Sequence, residues 1–186
     1  MNDMPINLMN ATLEELENLS FEALLGRDIS EYNISNSLPD GTYLLFIEKR
    51  DGKAKAADLE KGKKANKTLE LHLRVHTCLQ CSDADVDKPA LANRVHIERF
   101  TVTEEYGIAN LIRMVLGAVG VSWRDKKAIA EVGQSVLGIL DQLIAGKVLF
   151  GAQIKTTEGK NGGEFTNLVY KEPAFISMDK AGDYLG

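Results

Sequence analysis

Leu69-Glu70-Leu71-His72-Leu73-Arg74-Val75-His76 alternates an aliphatic side chain with a charged or imidazole one over eight positions. Successive side chains of a strand point to opposite faces, so this stretch predicts a strand over 68–78 with one apolar and one polar face. Residues 93–102 repeat the pattern and predict a third strand, with Val95 and Ile97 read inward and Arg94, His96 and Glu98 outward. Upstream, Thr42 to Arg50 is mostly β-branched, aromatic and aliphatic, which suits a first strand in which parity puts Phe46 and Arg50 on one face. Pro39-Asp40-Gly41 introduces it as a turn, because proline presets its own backbone angle and glycine tolerates positive ones.

Past residue 102 the period changes. Ile108, Leu111, Ile112, Val115, Leu116 and Val119 mark a helix stopping near Gly120, and Ile129, Val132, Val136, Leu140, Leu143 and Ile144 mark another stopping at Gly146. Residues 147–155 read as a fourth strand, Gly159, Gly162 and Gly163 as a hairpin turn, and Glu164 to Lys171 as a fifth strand. The order is strand, strand, strand, two-helix insertion, strand, strand. It predicts a mainly β chain folded as a five-stranded OB-type barrel, and another small barrel or an open sheet fits the same order. At the N-terminus, Thr12 with Glu15 makes a capping-box pattern followed by Leu13, Leu16, Leu19, Leu24 and Leu25. That segment reads as an amphipathic helix over 12–25, or as two short helices with Ser20 capping the second. The organisation expected is an acidic arm with this helix at 1–37, a barrel at 38–172 and a tail at 173–186 without a strong pattern.

The net charge of −5 argues at first against a polyanionic partner, but its distribution reverses that. Residues 1–40 hold eight acidic side chains against Arg27 alone, whereas residues 49–67 hold eight cations against Asp51, Asp58 and Glu60. Local field, not whole-chain charge, is what a phosphate meets. No apolar run is long enough to span a membrane, and Met1-Asn2-Asp3-Met4 lacks the basic and apolar regions of a leader, so a cytoplasmic protein is expected. Cys78 and Cys81 are the only cysteines, too few for a disulfide framework.

In OB barrels the outer face of strands two and three, with the loops joining strands one to two and four to five, forms the oligonucleotide groove. The cations of this chain fall there. Lys49 and Arg50 end the first strand; Lys53, Lys55, Lys61, Lys63, Lys64 and Lys67 lie in a loop from Asp51 to Lys67; Lys155 and Lys160 belong to the second loop. His72, His76 and His96 fall on the expected outward faces beside Arg74, Arg94 and Phe100, rings and guanidinium planes on which bases stack. Tyr43, Phe46, Phe150, Phe165 and Tyr170 are further aromatic candidates, some of which must face the core. Cys78 and Cys81, with His76 and His96, make an alternative four-ligand zinc set, though one CxxC without a second pair is more often two reduced thiols. No P-loop, GxSxG elbow or HExxH is present, so neither an enzyme nor a cofactor is expected.

These residues resemble phage-encoded single-stranded-DNA-binding proteins of OB type. The resemblance lies in Leu38-Pro39-Asp40-Gly41-Thr42-Tyr43, in the Lys-rich stretch before Leu69 to Val75, and in the leucine-rich insertion with Gly117 and Gly120. It continues through Ala145-Gly146-Lys147 and Asn161-Gly162-Gly163-Glu164-Phe165-Thr166-Asn167-Leu168-Val169, covering residues 38–172. It implies non-catalytic, sequence-tolerant binding and protection of single strands in a host cytoplasm during phage replication or recombination, with phage or host replication proteins, or a second copy of the chain, as partners. Better-known relatives often end in a strongly acidic tail; here residues 173–186 carry only Asp179 and Asp183 against Lys180, and the acidic segment sits at the other end. Three alternatives stay open: a phage accessory interaction module with the barrel as scaffold, a host-nuclease inhibitor whose acidic arm mimics DNA, and, with least support, a metal-dependent nuclease.

Overall fold

The computed structural model describes residues 38–57, 64–158 and 162–185; the acidic arm and its helix, Lys61, Lys63 and Lys160 lie outside them. The fold is mainly β. Its strands are β1 (Gly41–Lys55), β2 (Asn66–Cys81), β3 (Val95–Thr101), β4 (Phe150–Glu158), β5 (Glu164–Leu168) and β6 (Phe175–Ile176). All pairings are antiparallel, in the order β3-β2-β1-β4-β5 with β6 added to β4. The sixth strand comes from the segment after Pro173, where the sequence shows no pattern. It fits because Gly151 offers no side chain where Ile176 packs.

β1 and β2 run further than their composition suggests. They pair out to Lys55 opposite Asn66, so Lys53, Lys55 and Lys67 stand on strands where a loop from Asp51 to Lys67 was expected. Residues 52–55 are exposed, and the main-chain ladder extends the hairpin there, with Lys53 also held across the strands by Glu70. β1 also carries register shifts at Thr42/Tyr43, Leu44/Leu45 and Ile47/Lys49. Such bulges re-aim side chains, which is why Tyr43, Leu44 and Leu45 are all buried and why no alternation is visible in 42–50. The last shift overturns the parity of Phe46 and Arg50. Phe46 opposes Arg74 on the outer face, whereas Arg50 opposes Leu71 and turns toward the core side.

Three helices, not two, separate β3 from β4: α1 (Glu105–Ala118), α2 (Lys126–Glu131) and α3 (Val136–Ala145). The single helix expected through 129–144 breaks at Gly133, whose φ is 64°. A new N-terminus then forms with the Ser135 hydroxyl accepting from the Gly138 N–H at 3.0 Å. A short helix α4 (Met178–Ala181) follows β6. Leu111, Met114, Val115 and Ala118 of α1 and Ile139, Leu140 and Leu143 of α3 join Leu45, Ile47, Leu71, Leu73, Phe150 and Ile154 of the sheet in one buried cluster. Among the described residues no helix is long and apolar enough to cross a membrane.

β3 is turned over relative to its expected parity. Leu69, Leu71 and Leu73 oppose Phe100, Glu98 and His96, and directly opposed residues share a face. His96, Glu98 and Phe100 are therefore buried with the leucines, while Arg99 is exposed. A carboxylate is tolerated there because it is fully engaged. Glu98 accepts from the Leu168 N–H at 3.1 Å and the Tyr170 hydroxyl at 2.6 Å, and lies 2.8 Å from His96 Nε2. Burial, and then the neighbouring Glu98, push the Tyr170 phenol far above its usual value, so it stays a donor. β3 and β5 end the strand order without a shared ladder, and this group ties them together by side chains, with Phe100 edge-on to Tyr170 at 6.2 Å.

Gly107 shows how tightly α1 sits on the end of β3. A Cβ there would collide with the main chain of Thr101, which cannot yield as a flexible side chain would. Helix propensity alone favours alanine over glycine by about 1 kcal/mol, whereas overpacking costs about 1–3 kcal/mol. Gly107→Ala is therefore expected to lower stability in urea unfolding, and a stabilised variant would show that α1 stands off from Thr101.

Candidate nucleic-acid interface

The outer face of β1, β2 and β3 is built in rows, because opposed residues of three adjacent strands project together. Phe46, Arg74 and Val95 form one row; Lys49, His72 and Ile97 the next; then Asp51, Glu70 and Arg99; then Lys53, Thr68 and Thr101; Lys55 and Asn66 close the hairpin. Five cations, Lys49, Lys53, Lys55, Arg74 and Arg99, share this face and its Ile47/Lys49 bulge with three carboxylates, Glu48, Asp51 and Glu70.

Most of these charges are paired. Arg74 Nη2 donates to both Glu48 oxygens at 2.7 and 2.8 Å, and its Nη1 donates to the Asn93 carbonyl at 2.9 Å. Lys49 Nζ lies 2.8 Å from Asp51 Oδ2, and His72 Nε2 lies 3.0 Å from the same oxygen. That His72 contact is close but misaligned, and Nε2 makes no hydrogen bond among the described residues. Glu70 takes Lys53 Nζ at 2.6 Å and Arg99 Nε at 2.9 Å, one on each oxygen.

The same contacts set the titration. Hydrogen bonds from Arg74, from Lys49, and from Lys53 with Arg99 hold Glu48, Asp51 and Glu70 below the usual carboxylate range, and the Asp51 hydrogen bond raises Lys49. A carboxylate lowered in the folded state stabilises it above the ordinary carboxylate pKa and loses that contribution as pH falls through the lowered value. A raised lysine stabilises below its ordinary pKa and loses it as pH rises through the raised one. The network is thus intact at neutral pH and dissolves on acidification.

The remaining candidates scatter. Lys64, Lys67, Lys155 and His76 are exposed and Arg94 is half-buried. Lys55 and Lys64 line a cavity of about 510 Å³ with Asn66, Thr103 and Glu104, beside the end of the hairpin. Arg50 leaves the face altogether, its Nε donating to Asp141 of α3 at 2.8 Å. Of the ring-bearing residues expected outside, His96 and Phe100 lie in the core, the latter only 1% exposed. Tyr43 and Phe150 are core residues as well, Phe46 is half-buried on the outer face, Phe165 is exposed on β5 and Tyr170 is engaged by Glu98. Arg99, which the sequence reading missed, takes the outward place that was assigned to Phe100. The signal was ambiguous, since Val95-Ile97-Arg99 and His96-Glu98-Phe100 each mix polar with apolar side chains.

The zinc alternative does not assemble. His96 is occupied by Glu98 inside the sheet, and among the described residues no three His, Cys, Asp or Glu side chains converge as metal ligands. Cys78 and Cys81 are free thiols, and burial pushes Cys78 above its usual value, away from the reactive thiolate. Compared with protein-family models, with curated proteins and with solved structures, the chain matches none.

Proposed function

We propose that this chain is a non-catalytic, largely sequence-independent single-stranded-DNA-binding protein built on an OB-type barrel. The observation that carries the reading is the run of cations over the outer face of β1–β3, continuous with the lysine-bearing hairpin. The strand order supports the fold assignment: β3-β2-β1-β4-β5 is the order of an OB barrel cut between β3 and β5, and Glu98 spans that cut. In such barrels this face and the first hairpin take the oligonucleotide. Phe46, His72 and the guanidinium planes of Arg74 and Arg99 offer few stacking surfaces, so phosphate contacts dominate, and these are indifferent to sequence. The protein would protect single strands in a host cytoplasm during phage replication or recombination, alongside phage or host partners of that machinery.

Phosphate contacts release condensed counterions, which makes the salt dependence the direct readout. If four of Lys53, Lys55, Lys61, Lys63, Lys64 and Lys67 contact phosphate, their share of the log–log salt slope is about −3, at about −0.7 per contact on a single strand. Changing all six to glutamine is expected to flatten the slope by about that amount while the protein stays folded. An unchanged slope in the folded variant would move the strand's path off the hairpin.

A further inference from the structure

The carboxylates of the outer face are of two kinds. Glu48 and Asp51 are 38% and 42% exposed and lie beside their cations, at the level where a phosphate would arrive. Glu70 is only 7% exposed and lies beneath Lys53 and Arg99, which are themselves 59% and 61% exposed. It also sits in the middle strand, in the row between Asp51 and Arg99. A buried, ionised carboxylate is acceptor-only, so its two oxygens fix two donors from below and leave their outer sides free. Arg99 spends Nε on Glu70, and its two terminal nitrogens have no partner among the described residues. Arg74, by contrast, has both terminal nitrogens committed to Glu48 and Asn93.

Building on the nucleic-acid reading, we infer that Lys53 and Arg99, held on the two oxygens of Glu70, form a phosphate-binding subsite at the centre of the face, with Glu70 as its positioning residue. Long cationic side chains lose rotamer freedom when they bind, and a donor already held in place has less left to lose. Glu48 and Asp51 act in the opposite sense, as surface carboxylates that an incoming phosphate must displace. The two roles predict opposite signs for the same chemical change. Removing any negative charge near a polyanion site strengthens binding if only the mean field matters. Glu70→Gln is expected to weaken binding, because an amide presents one acceptor and turns two N–H donors toward cations.

The test is a titration of fluorescent oligo-dT with the full chain across a salt series, comparing the unmodified protein with Glu70→Gln, Glu48→Gln, Asp51→Asn, Arg99→Gln and the Glu70→Gln/Arg99→Gln pair. Glu48→Gln and Asp51→Asn should bind more tightly, and Glu70→Gln about tenfold more weakly, the scale of one charge-assisted contact. Arg99→Gln should reduce the salt slope by about 0.7, and adding Glu70→Gln to it should weaken binding much less than it does alone. Tighter binding by Glu70→Gln, in step with the other two neutralisations, would overturn the subsite while leaving the nucleic-acid reading in place. Absence of binding by the unmodified chain would overturn both. If Glu70→Gln fails to fold, Glu70→Asp keeps the charge and draws the carboxylate back by one methylene; weaker binding with a reduced salt slope is expected, and unchanged affinity would overturn the subsite.

Discussion

Replacing Glu98 with alanine is expected to cost about 3–5 kcal/mol of folding stability, among the largest effects available to a single substitution here. The side chain is 5% exposed, and its loss leaves the Leu168 N–H, the Tyr170 hydroxyl and the His96 ring without their shared partner. Those groups are buried or partly buried, so water does not fully replace what is lost. The loss also falls where no ladder joins β3 to β5, so nothing in the main chain compensates for it. Glu98→Gln keeps one acceptor oxygen and should cost less. Urea unfolding measures both, and a Glu98→Ala loss below about 1 kcal/mol, the value of a single ordinary hydrogen bond, would show that the two strand ends are held by other means.

Phe100→Ala is expected to be comparably destabilising, at about 3–5 kcal/mol, because it deletes a fully buried ring and leaves a cavity. Phe100 opposes Leu69 and lies edge-on to Tyr170. An outward Phe100 would act differently, stacking on a base and contributing to affinity with little effect on stability. The two roles separate when unfolding and oligo-dT affinity are measured on the same variant under conditions where it stays folded. Lost stability with retained affinity is the expected pair; retained stability with lost affinity would return Phe100 to the outer face.

β2 was readable because over 69–76 its inner positions are all aliphatic and its outer ones all polar, so the period of two there has a single solution. β3 was readable as a strand but not in its facing. His96 finds its partner in Glu98 two positions on, but the inward carboxylate also needs the Leu168 N–H and the Tyr170 hydroxyl, and no local window contains those residues. The same limit hid β6, whose pairing depends on Gly151 opposite Ile176 and not on any pattern of its own. In β1 the register shifts erased the alternation and sent Arg50 toward Asp141. Four cations of the candidate face, Lys49, Lys53, Lys55 and Arg74, were legible individually, whereas Arg99 was hidden by the ambiguous facing of β3. The pairing of the cations was not legible, because Glu70 meets Lys53 and Arg99 across strands, and only the register brings these residues together.

The central claim is that this face binds single strands through their phosphates, and one measurement addresses it most directly: the affinity of the full chain for a labelled oligo-dT and for a duplex of equal length, each followed across a salt series. The account predicts binding to the single strand that exceeds binding to the duplex and weakens linearly in log–log form as salt rises. No binding to oligo-dT at low salt, or equal binding to both with no salt dependence, would contradict it.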